Sequence, residues 1–303
     1  MPWPTDHPAF TDPQLTPWAS GLDEIVPGAR VECVLRYLPG RRVATLVEYE
    51  RELAVVKVFA SPRARGNARR LRAFAASRAT ALVPTVLGCD AAGHVLAITF
   101  RRGDLPASLP DAQYPACFYR VGAALRQIHD SGAELDRAWD WEKEAAELCR
   151  RAVPATLDLV DTVVASTRWL ADAPLSPAHR DCHPSQVVVA SDGTVGWIDL
   201  DDAAMAPRGL DVGNMLGHLL RERITGARPL RATAEASQAF LDGYGQCPEL
   251  DEVVLSGWTL LAVARLAGLA ESRHRDVPQR DALLAHCRAD LDRVAGARAH
   301  AYR

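Results

Sequence analysis

His179-Arg180-Asp181-Cys182-His183-Pro184-Ser185-Gln186, followed by Ile198-Asp199-Leu200-Asp201, decides the reading of this chain. The stretch puts one carboxylate, Asp181, on a loop and an amide oxygen, Gln186, five residues later. A second carboxylate, Asp199, follows 18 residues after the first. Between them, Gln186 to Ala190 and Thr194 to Asp199 read as two short β-runs joined by Ser191-Asp192-Gly193, a hairpin turn signal. A tight hairpin brings its ends together, so Asp181, Gln186 and Asp199 are expected to converge. One base and two oxygen ligands for a hard cation are the equipment of Mg²⁺-assisted phosphoryl transfer.

On these residues the segment resembles the catalytic core of the protein-kinase-like small-molecule phosphotransferases: aminoglycoside phosphotransferases with their choline-kinase and homoserine-kinase relatives. That family carries a His-x-Asp-x-x-x-x-Asn loop and an Ile-Asp-x-Asp/Glu metal motif. Here the loop has Gln186 in the Asn place. Gln keeps the amide oxygen and reaches about 1.5 Å further; maltokinase-like members look similar in carrying it.

The resemblance implies an α+β, two-lobed protein-kinase-like fold, with a small β-rich N-lobe and a larger, mostly α-helical C-lobe. The expected division is 1–104 for the nucleotide and 105–303 for catalysis and substrate. It implies Asp181 as catalytic base, Gln186 and Asp199 as Mg²⁺ ligands, and ATP or GTP as donor. His179, His183, Asp201 and Asp211 are implied in supporting places, Asp211 as a brace for the loop's amides or, more plainly, as a helix N-cap.

Two lysines against 33 arginines make the lysine positions informative. Lys57 sits in Leu53-Ala54-Val55-Val56-Lys57-Val58-Phe59, a β-branched run that reads as a buried strand. The resemblance gives it the α/β-phosphates. Upstream, Arg30 to Leu38 and Val43 to Glu50 read as strands split by the turn dipeptide Pro39-Gly40. Phosphates would lie under Leu38 to Val43, with Arg41 or Arg42 assisting. The family's strand lysine usually pairs with a Glu on the next helix, yet no Glu lies between Val58 and Arg102. Lys57 would then borrow Glu48, Glu50 or Glu52. The gap also motivates a reading as a weakly active or inert nucleotide-binding protein.

Downstream the chain reads as helices over Phe118 to Ile128, Ala155 to Ala171, Asp211 to Leu220, Glu235 to Tyr244, Leu250 to Glu271 and Gln279 to Ala297. The apolar run Val253 to Ala270, interrupted by Arg265, reads as a buried helix and not a membrane span. His179, Asp181 and His183 alternate as in a metallohydrolase site, a minor alternative.

Composition narrows the partners. A net charge of −3 argues against a nucleic-acid binder. Met1 to Pro13 lacks the pattern of a leader, and seven scattered cysteines suit reduced thiols, so the cytoplasm is expected, without a membrane, for a monomer or homodimer. Residues 1–104 carry 14 Lys/Arg against 10 Asp/Glu, and 105–200 carry 8 against 14. An acidic second half suits a cationic acceptor. An aminoglycoside-like or basic peptide antibiotic is therefore the preferred acceptor, with Glu249, Asp251, Glu252 and Glu271 as its contacts. A metabolite kinase for a sugar, amino alcohol or homoserine-like substrate stands second.

Overall fold

The protein is described from a computed structural model covering residues 7–18 and 21–301. The opening residues 1–6, part of the stretch read as lacking a leader, lie outside the described residues. The chain divides into two compact units: Met1–Arg102 with Gly196–Asp201, and Gly103–Val195 with Asp202–Arg303.

In the first unit a short helix, α1 (Gly21–Ile25), precedes three antiparallel strands, β1 (Arg30–Leu38), β2 (Arg42–Tyr49) and β3 (Glu52–Phe59). Gly40 turns the first hairpin at φ 65°. Glu50 and Arg51 turn the second, both left-handed at φ 52° and 67°, as a two-residue hairpin matched to strand twist requires. Helix α2 (Ala64–Ala75) follows, then β4 (Val86–Cys89) and β5 (Val95–Thr99). The sheet order is β1-β2-β3-β5-β4. Val43 and Val47 of β2, Ala54, Val56 and Val58 of β3, and Val95 and Ala97 of β5 share one core with Ala9, Leu15, Leu22 and Val26. Strand alternation therefore sends Lys57, between Val56 and Val58, to the other face of the sheet.

An N-terminal strap fastens the first hairpin. The Asp12 carboxylate accepts from the Gly40 N–H (2.7 Å), the Tyr37 hydroxyl (2.8 Å) and the Gln14 N–H (2.9 Å). Trp18 stacks on His94 at 3.5 Å between ring centroids. The Arg41 N–H bonds back to Leu38 O. The turn that was expected to cover phosphates thus spends the N–H groups of Gly40 and Arg41 on the protein itself.

The second unit holds α3 (Tyr114–His129), α4 (Trp141–Arg151), α5 (Leu157–Thr167), β6 (Leu175–Ala178) and β7 (Val187–Val189). The turn after β7 closes with the Ala190 N–H on Thr194 O (2.9 Å). Strand β8 (Val195–Trp197) then carries the chain into the first unit's segment. Strand β9 (Ala204–Pro207) pairs with β6, and α6 (Arg208–Thr225), α7 (Leu230–Tyr244), α8 (Glu252–His274) and α9 (Val277–Ala301) follow. Trp141 and Leu148 of α4, Val160 and Val163 of α5, and Trp258, Leu261 and Ala264 of α8 form its core. Among the described residues α8 alone is long and apolar enough to cross a membrane, and most of that run is buried.

Helices α3 and α7 meet backbone to backbone. A Cβ on Gly122 would strike the Phe240 carbonyl, and one on Gly243 would strike that of Tyr119. Gly122→Ala should therefore lower stability by about 1–3 kcal/mol, the cost of overpacking, measured by urea unfolding. An unchanged midpoint would mean that the helices part freely.

The strap gives a pH-dependent expectation. Asp12's carboxyl is held below its ordinary value near 3.8, chiefly by the Gly40 N–H; burial opposes the shift, and Gln14 and Tyr37 add to it. A depressed carboxyl contributes stability above its unfolded value and loses it as pH falls through the folded one. Asp12→Asn should speed amide exchange at Gly40 and flatten the acid limb of stability below about pH 4. Equal exchange in both proteins would show that the strap leaves the turn alone.

Candidate active site

In the first unit the candidate nucleotide residues form one ion cluster. Lys57 Nζ donates to Asp199 Oδ1 at 2.6 Å and to Asp201 Oδ1 at 2.7 Å. Arg42 Nη1 donates to Asp201 Oδ2 at 2.9 Å, and Arg42 Nη2 lies 3.5 Å from Asp199 Oδ2. Helix α2 contributes a cation where a Glu was expected: Arg70 Nη2 donates to the Asp201 carbonyl at 2.9 Å and to Asn67 Oδ1 at 2.5 Å. Lys57 bonds Asp199 and Asp201 and not the expected Glu48, Glu50 or Glu52, and Glu48 bonds Arg30 at 2.8 Å. Both acids of the Ile-Asp-x-Asp motif serve it instead. Arg41 is exposed on the turn, away from this cluster's bonds.

Burial opposes the Lys57 ammonium, but Asp201 and Asp199 outweigh it and raise its pKa. Burial pushes Asp201 up, and the Asp199 carboxylate adds to that against Lys57 and Arg42. Asp199 itself is left-handed at φ 56°, a backbone state that a non-glycine residue holds only when its surroundings fix it. Its carboxylate is a hard oxygen donor, the chemistry a Mg²⁺ ion takes, so the residue present fits the cation that the motif implies.

In the second unit the loop after β6 is fixed from beneath. Fully buried Asp211 accepts the N–H of His179 and of Arg180, both at 2.7 Å. It also accepts from His129 Nε2 at 3.2 Å, while His129 Nδ1 meets the Tyr244 hydroxyl at 2.8 Å. Asp211 is not the N-cap of α6, which begins at Arg208 behind Pro207. Asn214, one turn along, donates to the Arg180 carbonyl at 3.1 Å. Arg180 is left-handed at φ 69° and lays its guanidinium 3.5 Å from the Trp139 ring centroid. Its backbone N–H, carbonyl and side chain are thus all engaged.

Asp181 projects from this fixed loop. His183 Nε2 stands 3.6 Å from its Oδ2, and Arg265 Nη1, from α8, 4.0 Å from its Oδ1. Burial would raise its pKa, but His183, Arg265 and His179 hold the carboxyl well below the usual carboxylate range. His179 and His183 spend their Nδ1 atoms on the N–H groups of Asp181 (3.3 Å) and Ser185 (3.2 Å). Among the described residues no group of three or more His, Cys, Asp or Glu is placed to hold a metal. Gln186 is buried at the end of a short 3₁₀ turn, Pro184–Gln186. Asp202 belongs to Arg137 (3.4 Å) and Arg180 (3.9 Å).

Sequence reasoning missed Asn214, His129, Tyr244 and Arg265. Arg265 had a signal, since a charge inside an apolar run needs a partner. The acids proposed for a cationic acceptor are already engaged. Glu249 pairs with Arg208 (3.7 Å), Glu252 with Arg293 (3.3 Å) and Glu271 with Arg280 (2.8 Å), while Asp251 caps α8 through Val254 N.

Residues 41–253 match the model of the phosphotransferase enzyme family, APH. The chain belongs to that family. As a member it is a phosphotransferase acting on a hydroxyl group. No curated protein sequence matches it. Its fold is similar to choline kinase LicA from Streptococcus pneumoniae, with a TM-score of 0.66 at 12% identity over 91% of this chain and 98% of that one. A thermostable mutant of aminoglycoside phosphotransferase APH(4)-Ia gives 0.65 at 16% over 91% and 99%. Amicoumacin kinase hAmiN, solved with AMP-PNP, Ca²⁺ and Ami, gives 0.65 at 17% over 85% and 87%. At such identities the likeness speaks for the fold, which is the α+β protein-kinase-like one expected from the motifs.

The ion cluster makes its own prediction for this phosphotransferase. Lys57→Ala leaves the Asp199 and Asp201 carboxylates facing each other beside Arg42. Stability should fall by about 3–5 kcal/mol, the cost of orphaning a buried charge, and Asp201→Asn in the same chain should restore part of it. Thermal or urea unfolding of the single and double variants checks this; additive losses would show that the pairing is idle.

Proposed function

We propose a Mg²⁺-dependent O-phosphotransferase of the cytoplasm that uses ATP or GTP on a small hydroxylated molecule. The observation that carries it is Lys57 bonded to both acids of the Ile-Asp-x-Asp motif, 142 and 144 residues away. That contact sets the strand lysine beside the metal motif, the two groups that would engage the phosphates and the cation in phosphoryl transfer. It also answers the absent helix Glu, so an inert nucleotide binder loses its motive.

Residues 1–104 serve the nucleotide, and 105–303 carry the base and the acceptor. Lys57, with Arg42, neutralises phosphate oxygens. Asp199 and the Gln186 amide would hold the divalent cation, which supplies charge neutralisation on the β/γ-phosphates when bound. Asp181 is ionised at neutral pH, so it orients the acceptor hydroxyl and takes its proton as transfer proceeds. A loose phosphoryl transition state asks little more of a base. His179 and Asp211 hold the loop, and His183 flanks the carboxylate. A metabolite acceptor fits better than a polycationic antibiotic, because Glu249, Glu252 and Glu271 are already neutralised by arginines.

Asp181→Asn should remain folded at the assay temperature and lower kcat by about 10²- to 10⁴-fold, the range for a positioned base. Near wild-type turnover in the folded variant would remove this mechanism. Gln186→Ala should raise the divalent-cation concentration needed for half-maximal activity, with Gln186→Asn intermediate. Superimposable metal titrations would reduce Gln186 to a packing residue.

A further inference from the structure

Arg265 stands in the middle of α8 among Val263, Ala264, Leu266 and Ala267, all buried. A guanidinium in such a run costs desolvation unless its donors are used. Arg265 Nη2 donates to Asn214 Oδ1. Its Nε is buried without a hydrogen bond, 3.9 Å from Glu144 Oε1. Glu144 gives its other oxygen to Trp139 Nε1 at 2.9 Å. Nη1 faces Asp181 at 4.0 Å, beyond hydrogen-bonding distance.

Arg265 thus stands near two carboxylates, Glu144 and Asp181, with Nη1 turned toward the base. Across the carboxylate from Arg265 lies His183, whose ring stacks on His218 with centroids 4.7 Å apart. An ammonium brought to this place would meet the Arg265 charge. A carboxylate would meet donors left over on a planar fork whose shape matches it.

We infer that the acceptor carries a carboxylate beside the hydroxyl to be phosphorylated, and that Arg265 is the residue that selects it. This rests on the phosphotransferase reading above and names its substrate class. Asn214 links the guanidinium to the Arg180 carbonyl and hence to the loop that bears Asp181. Recognition and chemistry are then held by the same few atoms.

The test is a set of matched acceptors: short hydroxycarboxylic acids, their primary amides and the corresponding amino alcohols. Each is offered with Mg²⁺ and ATP or GTP to the wild type, Arg265→Lys and Arg265→Gln, and phosphoryl transfer is followed. The wild type should favour an acid over its amide by about 10- to 100-fold in kcat/KM, the range for a charge-assisted hydrogen bond. The difference should lie mainly in KM. Arg265→Gln should abolish the preference, and Arg265→Lys should keep part of it. The wild-type comparison stands even where a variant fails to fold. Transfer that favours the amide or the amine, or an acid preference that survives Arg265→Gln, would overturn the inference and leave the phosphotransferase intact. No transfer to any acceptor from either nucleotide would overturn both.

Discussion

The second unit's chemistry depends on one buried carboxylate. Asp211 is fully enclosed, and among the described residues no lysine or arginine side chain bonds it; two backbone N–H groups and an imidazole satisfy it. Removing a carboxylate from water is costly unless every lone pair finds a donor. The loop at His179 and Arg180 supplies those donors, so the charge and the loop fix each other. Arg180 can then hold a left-handed backbone, because its N–H, its carbonyl and its guanidinium are all tied down. Strain of this kind persists only where the surroundings over-determine it. Here it aims the next side chain, Asp181.

The brace extends outward through groups that each serve two partners. His129 joins Asp211 to Tyr244 through its two ring nitrogens, Nε2 toward the carboxylate and Nδ1 toward the phenol. Asn214 bonds the Arg180 carbonyl and Arg265. Helix α6 thus gives two polar side chains to one short loop, Asp211 and Asn214, and α3, α7 and α8 each add one to the network behind them. The backbone-close crossing of α3 and α7 at Gly122 and Gly243 is what brings His129 and Tyr244 within reach.

Much of this was legible in the sequence, for reasons that differ by element. The first three strands were, because β-branched runs and turn dipeptides are local signals; β1 spans Arg30–Leu38 as read. The start of α6 was not. Asp211 looked like a cap, whereas the helix begins three residues earlier behind a proline and the carboxylate faces inward. Lys57 was found by its rarity, but its partners were sought among the nearest glutamates. They lie instead on the motif 142 residues away, and nothing in local periodicity encodes such a pairing. The strap at Asp12 was silent for the same reason: a lone Asp in a Pro-rich segment looks solvated until Gly40 and Tyr37 are beside it.

The charge balance of the first unit's cluster shows why these residue types stand together. Lys57 and Arg42 bring two positive charges, and Asp199 and Asp201 two negative ones, in a place where Lys57 and Asp201 are largely shielded from water. Left apart, each set would be a buried like-charge pair, so each makes the other tolerable. The same cancellation leaves the groups ready to change partners. Two cations suit phosphate oxygens, and a carboxylate suits a divalent cation. A metal–nucleotide complex carries both kinds of charge, so its binding would exchange the internal ion pairs for contacts of opposite sign. Arg70, bonded to the Asp201 carbonyl and to Asn67 Oδ1, would hold the motif's backbone in place through such an exchange, a task for which a glutamate on α2 would be the wrong sign.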